Sequence, residues 1–132
     1  GHGYLLNIAS LAGFQPVPLL SSYAASKSYV LNFTEALSKE LEDHGVTVSC
    51  LCPGHTESQF FDRAGVAASE KGFFAPRTRM SAEKVARVGL KTVFAGKLTV
   101  IPGFRNNALA LSSRFGTRSL TAFISKRLTA NP

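Results

Sequence analysis

The chain has 132 residues, 45% hydrophobic and 17% charged, which allows one modest domain with a core and excludes a disordered or collagen-like chain. No apolar run approaches the roughly 20 residues of a membrane-spanning helix, and no basic stretch followed by an apolar block marks a signal peptide. The net charge of +7 is uneven, with three Lys/Arg and six Asp/Glu in residues 1–66 against twelve and two in residues 67–132; no basic run is dense enough for a nucleic-acid module, so no nucleic-acid partner is expected.

The sequence begins "GHGYLLNIAS", without a methionine, and enters at once on an apolar stretch. Residues 4–9 predict a buried strand, and a start so abrupt predicts a fragment. Residues 10–20 carry Gly13, Pro16 and Pro18 and read as a loop. Ser21 or Ser22 can cap the helix that follows, which is expected to run to about His44 before Gly45. Its apolar stripe is Val30, Phe33, Leu37 and Leu41, at spacings of three and four. "VTVSCLC", residues 46–52, reads as a strand buried on both faces and is ended by Pro53-Gly54. Cys50 and Cys52 fall on one face of it and are expected to be reduced and buried, in a cytosolic setting.

Residues 55–80 are expected to be irregular, with a short helix at most. Ser81 caps the next helix, which carries Val85, Val88, Val93 and Phe94 and ends by Gly96. Residues 98–103, "LTVIPG", predict a third strand, and 106–129 one broken helix or two short ones, interrupted at Gly116. The order strand, helix, strand, helix, strand requires parallel strands joined by right-handed crossovers. The expected fold is therefore a layered α/β fold around a parallel sheet. Three strands are few for such a sheet, and the first would be an exposed apolar edge.

Ligands of open α/β sheets sit beyond the carboxyl ends of the strands. Ser10 follows the first strand, Pro53-Gly54 follows the second, and Tyr23 opens the helix between them. Positions 23, 27, 30, 34, 37 and 41 share one helical face, so Tyr23 and Lys27 are expected to look toward the sheet edge. The plainer alternative is a lysine whose head reaches water past a packed tyrosine.

With Ser10 thirteen residues before Tyr23, "NIASLAG" around that serine, Y-x-x-x-K at Tyr23 and Lys27, and "CLCPGHTES" after the second strand, the sequence resembles the short-chain dehydrogenase/reductase family over nearly its whole length. It matches the C-terminal half of such an enzyme, which implies an α/β fold that is the C-terminal part of a Rossmann-type doubly wound parallel sheet. "IPGFRN" near the end is a looser similarity, to members that reduce apolar substrates.

By this resemblance Tyr23 exchanges a proton with the substrate oxygen and Ser10 hydrogen-bonds that oxygen. Lys27 binds the nicotinamide ribose and favours the deprotonated phenol of Tyr23. Pro53, Gly54, Thr56 through its backbone and Ser58 through its hydroxyl hold the nicotinamide carboxamide. His55 either belongs to the crevice rim or is an ordinary exposed loop histidine. Asn7 is part of the strand motif and not a catalytic residue. Phe60, Phe61, Phe73 and Phe74 occupy the substrate loop, and either face an apolar substrate or pack that loop down. No metal site is expected.

The implied cofactor is NAD or NADP, with NADP favoured. The implied substrate is a small apolar carbonyl or alcohol, the implied assembly a homo-oligomer at full length, and the implied location the cytoplasm. The glycine-rich phosphate loop, T-G-x-x-x-G-x-G, does not occur in these residues. Residues 1–132 are therefore expected to form the catalytic half of one dinucleotide-binding domain. Two other readings stay open: a truncated non-catalytic relative, and a basic module that contacts a membrane surface or a partner through residues 77–127.

Overall fold

A computed structural model describes residues 1–63 and 79–130. Its centre is a parallel sheet with β1 (Gly3–Ile8), β2 (Val46–Leu51) and β3 (Thr99–Val100) side by side in that order. Gly3 lies opposite Val46 and Ile8 opposite Leu51, while Cys50 and Leu51 meet Thr99 and Val100. Helix α1 (Ser21–Glu40) connects β1 to β2, and α3 (Ala82–Phe94) precedes β3. Two further helices, α4 (Phe104–Ser112) and α5 (Arg118–Ala130), follow the sheet. This is the parallel α/β arrangement expected from the order of elements, and the Rossmann-type sheet that the resemblance implies.

Strand side chains alternate between faces, and the two helices use the alternation. Leu6 and Leu51 point to α3, where a Cβ on Gly89 would lie 3.1 and 2.8 Å from their methyl groups. Asn7, Cys50 and Cys52 point to α1. There Ala9, Leu31, Cys50 and Cys52 form the buried core, with Phe14, Val30 and Ile101 against it. Residues 48–51 of β2 are all buried, because helices cover both faces. That explains why the run carries no charge, and its one polar residue, Ser49, is satisfied by donating to Lys97 O at 2.7 Å. Thr34 is fully buried on α1, yet satisfied: it donates to Val30 O (2.6 Å) and accepts from Asn7 Nδ2 (3.0 Å), so its hydroxyl carries no desolvation penalty.

Several expectations are corrected. The predicted helix cap does not form: Leu20 stands at the N-cap without a side-chain bond, and α1 stops at Glu40. A 3₁₀ turn, Glu42–His44, then leads to Gly45 at φ 71°, a left-handed turn for which glycine is suited. Phe33 was placed in the inward stripe but is exposed, stacked on exposed Tyr29 at 5.9 Å. The face that closes on the sheet is Ala24, Leu31 and Thr34, whose smaller side chains let the helix approach. Phe94 is likewise exposed, and touches Tyr4 edge-on at 5.1 Å. β1 is an exposed edge, with Tyr4, Leu5 and Ile8 open to solvent. β3 has two residues rather than six, since Pro102 lacks a backbone donor and Gly103 (φ 93°) turns the chain away. The caps at Ser81 and the break near Gly116 are as expected; Ser81 Oγ accepts from Lys84 N–H.

Gly13 sets the distance between the loop after β1 and α1. A Cβ there would lie 2.9 Å from Lys27 O and 3.2 Å from Ser28 N, both backbone atoms of a helix that cannot give way. Gly13→Ala is expected to cost about 1–3 kcal/mol, the range for overpacking. It should appear as a lower urea midpoint with an unchanged m-value. A midpoint equal to the parent's would mean that the loop slides off the helix freely.

Cys50 and Cys52 are free thiols with sulfurs 3.7 Å apart, both wholly shielded from solvent. The hydrogen bond to Cys50, and then burial, hold the Cys52 thiol well above the ordinary range. The same hydrogen bond lowers the Cys50 thiol to about 7, but its sulfur is wholly shielded, so neither thiol should react with Ellman's reagent in the folded protein at neutral pH, and both should react in denaturant. Rapid native labelling of even one would contradict this packing.

Candidate active site

The site is assembled where β1 and β2 run out. Ala9 N–H donates to Leu51 O and Leu11 N–H to Pro53 O, each at 2.8 Å, so the two chains stay paired past their last strand residues. Ser10 lies between those bonds, next to the Pro53 turn. Its backbone is extended, and its Oγ accepts from Ala12 N–H at 3.2 Å, capping the 3₁₀ turn Leu11–Phe14. A hydroxyl that accepts this bond still carries its own donor.

Tyr23 and Lys27 come from the first two turns of α1 and are half-buried. Lys27 Nζ donates to Ile8 O, the last carbonyl of β1, at 3.2 Å, and stands 5.7 Å from the centre of the Tyr23 ring. The inward orientation expected from helical spacing is thus observed, with the ammonium bonded to the strand end at an exposed position. The Tyr23 ring tilts against Phe60 at 5.1 Å.

The loop after β2 is held from two sides. Met80 N–H donates to His55 O and Glu57 N–H to Met80 O, both at 2.9 Å, so the chain entering α3 pairs briefly with residues 55–57. On the other side Asn106 of α4 donates to Pro102 O at 2.7 Å and presses on Gly54. A Cβ at Gly54 would lie 2.5 Å from Asn106 Nδ2. Thr56 Oγ1 donates to Gly54 O at 3.3 Å. Ser58 Oγ accepts from Phe60 N–H at 3.3 Å, at the start of the short helix α2 (Phe60–Arg63).

Ser10, Tyr23, Lys27, Pro53, Gly54, Thr56, Ser58 and Phe60 all line one cavity of about 230 Å³, and His55 lies on its wall. Phe73 and Phe74 lie outside the described residues, as does the side chain of Phe61. The rest of the wall escaped the sequence reading: Val17 and Leu20 ahead of α1, Leu109 from α4, and Ser125 and Leu128 from α5. Val17 and Leu20 could have been noticed as apolar residues in an otherwise turn-like loop. For Leu109 and Leu128 no local signal existed, since only the docking of α4 and α5 brings them here. Chemically the cavity joins apolar walls to a phenol, an ammonium and four hydroxyls, those of Ser10, Thr56, Ser58 and Ser125. That donor set fits a ribose diol and a carboxamide on one side and a carbonyl oxygen on the other.

The sequence matches the family model described as short chain dehydrogenase over residues 1–69. SadH of Mycobacterium tuberculosis, described as an oxidoreductase, is 34% identical over 122 residues, covering 86% of this chain and 44% of that protein. A diacetyl reductase ((S)-acetoin forming) of Staphylococcus epidermidis is 39% identical over 61 residues, 46% of this chain and 24% of the enzyme. Among solved structures, a short-chain dehydrogenase from Sphingobium yanoikuyae in complex with NADPH superposes with a TM-score of 0.67 at 26% identity, over 86% of this chain and 44% of that one. A 7beta-hydroxysteroid dehydrogenase gives a TM-score of 0.72 at 23% identity, over 93% of this chain and 46% of that one, a likeness of fold. The chain spans less than half the length of each of these four relatives.

Proposed function

Since the chain belongs to the short-chain dehydrogenase family, we propose that it is the catalytic half of an NAD(P)-dependent oxidoreductase, a carbonyl reductase or alcohol dehydrogenase acting through Ser10, Tyr23 and Lys27. One observation carries the reading: these three side chains, from two separate elements, line a single cavity, with Lys27 anchored on Ile8 O beside the Tyr23 ring. In this reading residues 1–132 are the C-terminal part of one dinucleotide-binding domain; that the chain spans less than half of each relative is in keeping with its being a part.

The nicotinamide, when bound, supplies or accepts the hydride. Everything else falls to the chain. Ser10 Oγ–H hydrogen-bonds the carbonyl oxygen and orients it, and Tyr23 Oη gives that oxygen its proton in reduction and takes it back in oxidation. Lys27 donates to the ribose hydroxyls and adds positive charge next to the phenol. Pro53, Gly54 and Thr56 present backbone groups to the carboxamide, and the Ser58 hydroxyl completes that contact. The apolar walls from Val17, Leu20, Phe60, Leu109 and Leu128 favour an apolar carbonyl or alcohol and exclude water from the proton transfer. NADP is the favoured cofactor, in keeping with the NADPH held by the Sphingobium yanoikuyae neighbour. The exposed Tyr29–Phe33 stack on α1 supports self-association into a homo-oligomer. The free buried cysteines fit a reducing compartment, the cytoplasm. Among the described residues no helix is long and apolar enough to cross a membrane.

The test is nicotinamide oxidation by a polypeptide in which residues 1–132 follow a glycine-rich phosphate loop. A series of aliphatic and aromatic ketones of increasing apolar size is offered with NADPH and with NADH. Turnover is expected to rise with apolar size. No turnover with either cofactor across the series overturns the proposal.

A further inference from the structure

We propose that the outer surface of α4, α5 and the turn that joins them, residues 113–117, docks the protein on an anionic lipid bilayer. From Lys84 to Pro132 the chain holds nine Lys/Arg and no Asp or Glu. In α5 the buried Ser125 marks the inward direction. At 100° per residue, Leu120, Phe123 and Arg127 then point the opposite way, with Ile124 beside them. Leu120, Phe123 and Ile124 are each about half exposed, while Phe104 and Phe115 are 88% and 84% exposed. These large apolar groups are interspersed with cations: Arg105 follows Phe104, Arg114 precedes Phe115, and the Arg127 guanidinium lies 4.9 Å over the Phe123 ring.

The combination selects the occupant. Phenylalanine and leucine enter the boundary between headgroups and acyl chains, and lysine and arginine meet the lipid phosphates. Nucleic acid would use the cations but leave the apolar groups in water. A second copy of the same surface, meeting it across a two-fold axis, would set cations against cations. The same two helices carry Leu109, Ser125 and Leu128 into the cavity wall, so a docked bilayer would lie behind that wall. The inference does not depend on the roles given to Ser10, Tyr23 and Lys27.

The experiment is co-sedimentation of the 132-residue chain with phosphatidylcholine vesicles, with and without phosphatidylglycerol, at low and high salt. Duplex DNA binding at matched salt and the oligomeric state by light scattering are measured alongside. Binding is expected to the phosphatidylglycerol vesicles, with part of it surviving high salt. Combined Arg105→Glu, Arg114→Glu and Arg127→Glu should weaken binding by roughly 100-fold or more, at a contribution of about fivefold per cation. Combined Phe115→Ser and Phe123→Ser should keep low-salt binding but make it fully salt-reversible; since these side chains are exposed, this second variant stands even if the first misfolds. Tyr23→Phe should bind vesicles like the parent, which separates this inference from the catalytic one. Any of three results overturns it: no preference for phosphatidylglycerol, tighter binding to DNA than to vesicles, or a self-associated form that the Phe→Ser changes dissociate and that ignores lipid.

Discussion

Tyr23→Phe is expected to remove turnover while leaving cofactor affinity unchanged. The phenol hydroxyl is the one group on the cavity wall proposed to move a proton, and a positioned acid or base contributes about 100-fold or more. The ring itself is retained, so its contact with Phe60 at 5.1 Å and the fold around it should persist. The measurement is steady-state turnover with a cofactor titration, on the polypeptide that also carries a phosphate loop. More than about a tenth of parental activity would assign the proton to another group. A loss of cofactor affinity equal to the loss of rate would make Tyr23 a binding residue.

Lys27→Met should lower cofactor affinity by about 10- to 100-fold, the worth of hydrogen bonds from a charged donor. Methionine keeps most of the apolar stem, so the change removes the ammonium with little loss of packing. It also removes the bond to Ile8 O at 3.2 Å. That carbonyl belongs to an exposed residue, so water can replace the donor and folding stability should fall by no more than about 1 kcal/mol. The discriminating readout is the cofactor dissociation constant set beside the urea midpoint. An unchanged dissociation constant would return Lys27 to the plainer alternative, a lysine whose head reaches water past a packed tyrosine. A large stability loss with intact affinity would make it a structural clamp between α1 and β1.

The two variants answer different questions because the residues are built into the site differently. Tyr23 touches the cavity and Phe60, whereas Lys27 is tied to the sheet. Gly13 connects them to Ser10: it lets the turn that begins at Ser10 lie against the Lys27–Ser28 backbone. Widening that contact should disturb serine, tyrosine and lysine together.

Much of this was legible in the sequence, for reasons that are local. An uncharged, mostly apolar run over 46–52 records burial on both faces. Apolar spacings of three and four record helices, and Pro53-Gly54 and Gly45 record stops. A spacing of four puts Tyr23 and Lys27 on one face whatever surrounds them. Once two parallel strands are joined by a helix, Ser10 and Pro53 must share a sheet edge. Periodicity, however, does not say how closely a helix sits on its sheet. Phe33 and Phe94 lie outside because Thr34 and Gly89 permit a nearer approach than aromatic rings would. Nor does local pattern say where β3 ends, since that depends on how far the chain can stay beside β2 before Pro102 and Gly103 divert it. The cavity's far wall depends most on tertiary structure. Leu109 and Leu128 follow Tyr23 by more than eighty residues, and they reach the site only because Asn106 wedges α4 against Gly54 and α5 brings Leu128 to the same cavity.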